Sequence, residues 1–185
     1  MGRVLFAVMN DRKQKIIYLD RDGVINKEVN YLFKIDEFEF IDGVFEACIN
    51  FVQKGYQIII TTNQSGIAKG IYSEKDYHLL TKWMLTQFKI MSVEILDVYF
   101  CPHNPSSNCE CRKPKPGMLI DSSIRYNVDM AQSWMIGDKE TDIQAAKNAG
   151  IENTIIVKSG HKINTINSKA KYIIDSIKES TEIIE

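Results

Sequence analysis

Ile16-Ile17-Tyr18-Leu19-Asp20-Arg21-Asp22-Gly23 is the stretch whose reading decides the fold. A short apolar run followed by two carboxylates and a glycine predicts a buried strand that ends on a tight turn. Side chains alternate along a strand, so Asp20 and Asp22 are expected to point the same way. Two carboxylates at the carboxyl end of a central strand can hold a divalent cation and divide nucleophile and acid duties. Taken alone, the pair fits a polar turn equally well.

Outward from that strand, helix and strand signals alternate, which predicts an α/β fold with a central parallel sheet between helical layers. A long loop, 21–41, precedes a helix carrying Val44, Ala47, Cys48, Phe51 and Val52 on one face, with Asp42 as the expected N-cap and Gly55 as its stop. Residues 57–61 read as a second strand, and Ser73-Glu74-Lys75-Asp76 as a capping box opening a helix to about Lys89. A third strand is expected at 95–100, a loop at 101–116, and a helix at 118–126. Trp134-Met135-Ile136 reads as a fourth strand that runs into Gly137-Asp138, followed by a helix from Thr141 to Ala149 closed by Gly150. Strands at 154–157 and 172–174 and an amphipathic helix from about Ser176 complete the pattern.

The 185 residues suit one domain, 1–185, with 1–14 as an N-terminal extension in which Met9 is a candidate start. No insertion is long enough for a separate cap domain, so loops 21–41, 65–73 and 101–116 must cover the site themselves. A net charge of -1, from 23 basic and 24 acidic residues, gives no nucleic-acid footprint. No apolar stretch approaches the ~20 residues that cross a bilayer. The expected setting is the cytoplasm, the expected state a monomer, with neither membrane nor nucleic acid as partner.

In an open parallel sheet, ligands sit beyond the carboxyl ends of the strands. The polar clusters fall at those ends: Asp20 and Asp22, then Thr62-Asn63-Gln64-Ser65, then Asp138 and Asp142, with Arg112 and Lys113 in the loop before a helix. Asp20, Asp22 and Asp138 are the oxygen donors a Mg²⁺ ion prefers. Asp142, one turn beyond Asp138, either orients the cation site or caps its helix. The Thr62 hydroxyl and the Lys113 ammonium suit a phosphoryl group whose oxygens carry charge.

Cys101, His103, Cys109 and Cys111 lie within eleven residues. Three thiolates and an imidazole make a closed tetrahedral set, the composition of a structural Zn²⁺ site. The 101–111 loop leads straight into Arg112 and Lys113, so its metal is expected to fix their approach. Cys48 stands apart, on the apolar face of its helix, as a small core residue.

Leu19-Asp20-Arg21-Asp22-Gly23, Thr62-Asn63-Gln64, Lys113, and Gly137-Asp138 with Asp142 arrive in an order that resembles the haloacid dehalogenase superfamily of phosphohydrolases. The resemblance implies a Rossmann-like three-layer fold and an aspartyl phosphate formed on Asp20, with Asp22 as acid and then base. The zinc loop, with Thr62 to Gly70 and Cys111 to Met118, is similar to the D-glycero-D-manno-heptose-1,7-bisphosphate 7-phosphatases. A sister family, the histidinol-phosphate phosphatases, shares that loop, and the five-residue spacer 104–108 is closer to its type. The heptose resemblance implies a small phosphorylated sugar as substrate, for lipopolysaccharide or related glycans. It further implies substrate contacts at Arg21, Glu28, Val29, Asn30, Tyr31, Thr62, Asn63, Gln64, Ser65, Arg112, Lys113 and Lys139.

Overall fold

The computed structural model describes residues 13–185, so the expected extension and the Met9 start lie almost wholly outside the described residues. Six parallel strands form the sheet in the order β3-β2-β1-β4-β5-β6. They are β1 (Ile16–Leu19), β2 (Gln57–Asn63), β3 (Ile95–Cys101), β4 (Trp134–Gly137), β5 (Asn153–Val157) and β6 (Tyr172–Ile174). Four helices connect them: α1 (Val44–Gln53), α2 (Glu74–Ile90), α3 (Gly117–Tyr126) and α4 (Glu140–Asn148).

β1 sits at the centre, paired with β2 through Leu19–Ile60 and with β4 through Leu19–Ile136. All four of its residues are wholly buried. A strand covered on both faces needs no polar alternation, which is why Ile16-Ile17-Tyr18-Leu19 is apolar throughout. Ile17 and Leu19 pack with Val44, Ala47, Cys48 and Phe51 of α1 and Leu80, Met84 and Phe88 of α2. Ile16 and Tyr18 face the opposite layer, with Leu119 of α3 and Ala145 and Ala146 of α4. The chain reverses direction across the sheet at β1, so the segments leaving β2 and β4 diverge and open a crevice above it.

The capping box expected for α2 is formed, and glycines close α1 and α4 as expected. Ser73 Oγ accepts the Asp76 N–H at 3.2 Å, and Asp76 Oδ2 accepts the Ser73 N–H at 2.8 Å. Gly55 and Gly150 follow α1 and α4 at φ values of 82° and 88°, a backbone region open to glycine at low cost. Two expectations need correction. The N-cap of α1 is Gly43, at φ 80°, and no side chain caps it; Asp42 instead meets Lys178 at the surface. The C-terminal segment forms a short 3-10 helix, Ile177–Glu182, rather than an amphipathic α-helix. Only Ile177, Ser180 and Ile184 are buried there, too few to hold a longer helix against the core. Among the described residues no helix is long and apolar enough to cross a membrane.

Candidate active site

The segments at the carboxyl edges of β1, β2 and β4 line one cleft of about 610 Å³ together with the loop around 105–115. The cleft takes in Asp20, Arg21, Asp22, Glu28 to Leu32, Thr62 to Gly66, Arg112 to Lys115, Lys139, Asp142 and His161. Every residue expected at the site except Asp138 and three of the cysteine-cluster ligands, Cys101, His103 and Cys111, appears in that lining, and Asp138 is wholly buried.

At the centre, Lys113 bridges three segments. Its Nζ donates to the Thr61 carbonyl at 2.7 Å and lies 3.0 Å from Asp20 Oδ1 and 2.6 Å from Asp142 Oδ1. Three acceptors use all three ammonium hydrogens, so Lys113 acts toward an incoming anion as a nearby positive charge. Burial alone would lower its pKa, but Asp142 and Asp20 outweigh that and hold it above its ordinary value. Burial pushes the Asp20 carboxyl up to about 6, against the pull of Lys113. At neutral pH Asp20 is therefore still mostly ionised. Asn63 fixes the Lys113 backbone from both sides: its Nδ2 donates to the Lys113 carbonyl and its Oδ1 accepts the Lys113 N–H, both at 3.1 Å. Both amide atoms of Asn63 are thus engaged by Lys113, although the residue lines the cleft.

Asp20, Asp138 and Asp142 bring carboxylate oxygens within 4.8 Å of one another. Their partners divide them. Asp142 spends Oδ1 on Lys113 and Oδ2 on the Lys139 N–H at 3.0 Å, so it both caps α4 and anchors the lysine. Asp20 Oδ1 takes the Arg21 N–H at 2.8 Å and Lys113, leaving Oδ2 without a protein donor among the described residues. Asp138 Oδ1 is buried and has no partner among the described residues, while Oδ2 accepts from His161. A buried carboxylate oxygen without a donor is costly unless a cation meets it. Asp20 and Asp138 thus fit a hard cation, and burial holds the metal-free Asp138 carboxyl above the usual carboxylate range. Gly137 makes the cluster possible, since a Cβ there would stand 2.3 Å from that of Asp142.

Of the expected trio, Asp20 and Asp138 lie in one carboxylate cluster, and Asp22 stands outside it. β1 ends at Leu19, and Asp22 stands in a turn bridged to Asn26, so strand alternation no longer sets its direction. Its carboxylate meets the Arg21 guanidinium at 2.9 Å, Asn26 Nδ2 at 3.0 Å and Gln64 Nε2 at 3.1 Å. The third carboxylate beside Asp20 and Asp138 is Asp142. Arg21 is itself buried, and its Nη1 has no partner among the described residues. Thr62 Oγ1 accepts from Gln64 Nε2 at 2.8 Å, which leaves its hydroxyl hydrogen free to donate.

Residues 28–31 form one wall of the cleft. Tyr31 holds φ 59°, uncommon for a residue with a bulky side chain, and its hydroxyl meets Lys69 from the opposite loop. Burial and the nearby Asp22 push the Glu28 carboxyl up to about 7. His161 was missed from the sequence. It follows β5 in Lys158-Ser159-Gly160-His161, another strand end of the same kind, which was the available signal.

Cys101 Sγ, His103 Nδ1, Cys109 Sγ and Cys111 Sγ all lie within 4.8 Å of one another, with Cys101–Cys109 at 3.7 Å and His103–Cys111 at 3.3 Å. Tetrahedral bonds of about 2.3 Å to sulfur imply sulfur–sulfur edges of about 3.8 Å, so the set fits a four-coordinate metal. Arg112 Nη1 donates to the His103 carbonyl at 3.3 Å, tying the cleft cation to this loop. Gly117 lets the loop rest on α3, because a Cβ there would lie 2.4 Å from the Glu110 carbonyl.

A family model described as HAD-hydrolase-like matches residues 110–180. The chain is 48% identical over 160 residues, covering 83% of this chain and 87% of the relative, to the D-glycero-alpha-D-manno-heptose-1,7-bisphosphate 7-phosphatase of Photorhabdus laumondii. It is 42% identical to the beta-named enzyme of the same organism, over 91% of this chain and 94% of the relative. Among solved structures, D,D-heptose 1,7-bisphosphate phosphatase from B. bronchiseptica, complexed with magnesium and phosphate, superposes with a TM-score of 0.82 at 30% identity, covering 92% of this chain and 97% of that one.

Proposed function

The chain belongs to the D-glycero-D-manno-heptose-1,7-bisphosphate 7-phosphatase family of haloacid dehalogenase-like hydrolases, and from that premise we propose that it removes the 7-phosphate of heptose 1,7-bisphosphate. The observation that carries this reading is the cleft centre, where Asp20 stands 3.0 Å from Lys113 and beside the Asp138 oxygen that has no partner among the described residues. The names of the relatives favour a heptose over histidinol phosphate as substrate.

In the proposed reaction an Asp20 carboxylate oxygen attacks phosphorus and forms an acyl phosphate as the bond to the sugar oxygen breaks. Asp22 protonates the leaving oxygen. In the second half it takes a proton from the water that attacks phosphorus, releasing phosphate and restoring Asp20. For the first transfer, one Asp22 oxygen has to leave Arg21 or Gln64, which hold it in this arrangement. The Thr62 hydroxyl and the Lys113 charge stabilise the phosphoryl oxygens. Asp20 and Asp138 would hold Mg²⁺, which offsets the repulsion between an anionic nucleophile and an anionic phosphate. Arg112, Lys139 and the 28–31 wall would meet the rest of the sugar bisphosphate. Zn²⁺ in the cysteine loop would be structural, since four protein ligands leave no position for water. We read the chain as one phosphatase domain, monomeric and cytoplasmic; light scattering of the purified protein at twice the mass of one chain would refute the monomer.

The higher identity to the alpha-named relative leads us to expect the α anomer as the better substrate. Phosphate release with Mg²⁺ from both heptose anomers and from histidinol phosphate tests the reading. A kcat/KM at least about a hundredfold higher for a heptose supports it. Faster hydrolysis of histidinol phosphate overturns it.

A further inference from the structure

His161 lies outside every motif used above, yet it makes the closest contact to Asp138. Its Nδ1–H donates to Asp138 Oδ2 at 2.6 Å, and its main-chain N–H donates to the same oxygen at 2.9 Å. Nε2 faces Glu28 Oε1 across 3.6 Å. The neighbours are built for this approach. Gly160 and Gly23 clear space for the aspartate, since a Cβ at either would stand within 2.5 Å of Asp138 Oδ2. Ser159 Oγ donates to the Gly23 carbonyl at 2.7 Å and ties the loop after β5 to the turn after β1.

Glu28, Asp138 and His161 also form a three-ligand group, and one reading would have them share a second ion. The distances argue against it. Two ligands about 2.1 Å from one ion at right angles stand about 3 Å apart. The Nδ1–Oδ2 separation of 2.6 Å is that of a strong hydrogen bond to a charged group.

We propose that His161 is a positioning residue for the cation site. By taking Oδ2 with two donors it fixes the Asp138 carboxylate so that Oδ1, buried and unpartnered, is the oxygen presented to the cation. Partners of this kind, which orient a metal ligand without touching the metal, typically carry 10–100-fold in metal affinity. The proposal rests on the reading of Asp20 and Asp138 as the Mg²⁺ site.

The test is a Mg²⁺ titration followed by calorimetry and by the melting temperature, with no substrate present, on zinc-replete wild type and on H161A, H161Q and H161N. Asparagine carries an amide N–H where Nδ1 sits, whereas the glutamine amide reaches further out. H161A and H161Q should raise the Mg²⁺ midpoint about tenfold or more, and H161N should stay within about threefold of wild type. The metal-free melting temperature of each variant separates this effect from a general loss of stability. An unchanged midpoint in H161A, or an H161N as weak as H161A, overturns the assignment of His161 alone. No Mg²⁺ response in the wild type overturns the cation-site reading and this assignment with it.

Discussion

The cysteine loop and the carboxylate cleft gather their ligands in opposite ways. Cys101, His103, Cys109 and Cys111 come from one loop between β3 and α3, so a single local turn brings four ligand atoms together. The cleft draws Asp20, Thr62, Lys113, Asp138 and His161 from five separate segments that meet at the edge of one sheet. The first site is built from its own loop. The second needs β1, β2, β4 and β5 in register. The two are coupled at Arg112, which hangs from the His103 carbonyl and lines the cleft, and at Lys113 directly after it. A change in the cleft chemistry should therefore spare the fold, whereas a change in the loop should be felt in both places.

The sharpest break of that contrast is Asp20→Asn. It removes the attacking oxygen's charge from a side chain of the same shape, so turnover should fall by at least about 10⁴-fold. The melting temperature should stay close to that of the wild type, and residual activity above a hundredth of wild type would sink the nucleophile assignment.

Cys109→Ser acts on the other region. Losing one thiolate should release the loop metal, counted as zinc per chain by elemental analysis. The expected cost is about 2–3 kcal/mol, roughly 5–10 °C in melting temperature for a domain of this size. KM should rise severalfold as Arg112 loses its support. Full zinc occupancy with unchanged melting would mean that the loop stands without its fourth ligand.

The smallest effect sharpens the comparison through pH. Asp20 and Glu28 hold their protons more tightly in the folded chain than in the unfolded one, where carboxyls titrate near ~4. Their contribution to stability is then full below about pH 4. It drains away as pH rises through about 6 for Asp20 and about 7 for Glu28. In magnesium-free buffer the melting temperature should decline between pH 5.5 and 8, and Mg²⁺ should flatten the decline by stabilising the ionised site. A curve that rises with pH in the absence of Mg²⁺ would contradict the burial of these groups.

The residues that were readable early share a physical cause. β1 announced itself because a strand buried on both faces must be apolar along its whole length, and α2 because Ser73 and Asp76 satisfy each other's backbone N–H groups. The 3-10 form of 177–182 was not readable, since it follows from how little core surface remained to be covered there, and neither was the left-handed Gly43, where a Cβ would stand 2.8 Å from Lys178 of that distant segment. The ion pair that the buried Arg21 makes with Asp22 was not readable either, because it forms in a turn beyond the strand, where alternation no longer sets direction.

By itself the sequence determined the parallel α/β order, the strand-end carboxylates and the clustering of three cysteines and a histidine in one loop, because each is carried by neighbours within a few residues. Only the tertiary structure decided which carboxylate oxygens are free. Asp142 spends both of its oxygens on Lys113 and Lys139, Asp20 keeps Oδ2, and Asp138 keeps Oδ1 because His161 occupies its other oxygen. Those partners lie up to 93 residues apart in the chain, Asp20 to Lys113, and meet only once the sheet has set their register.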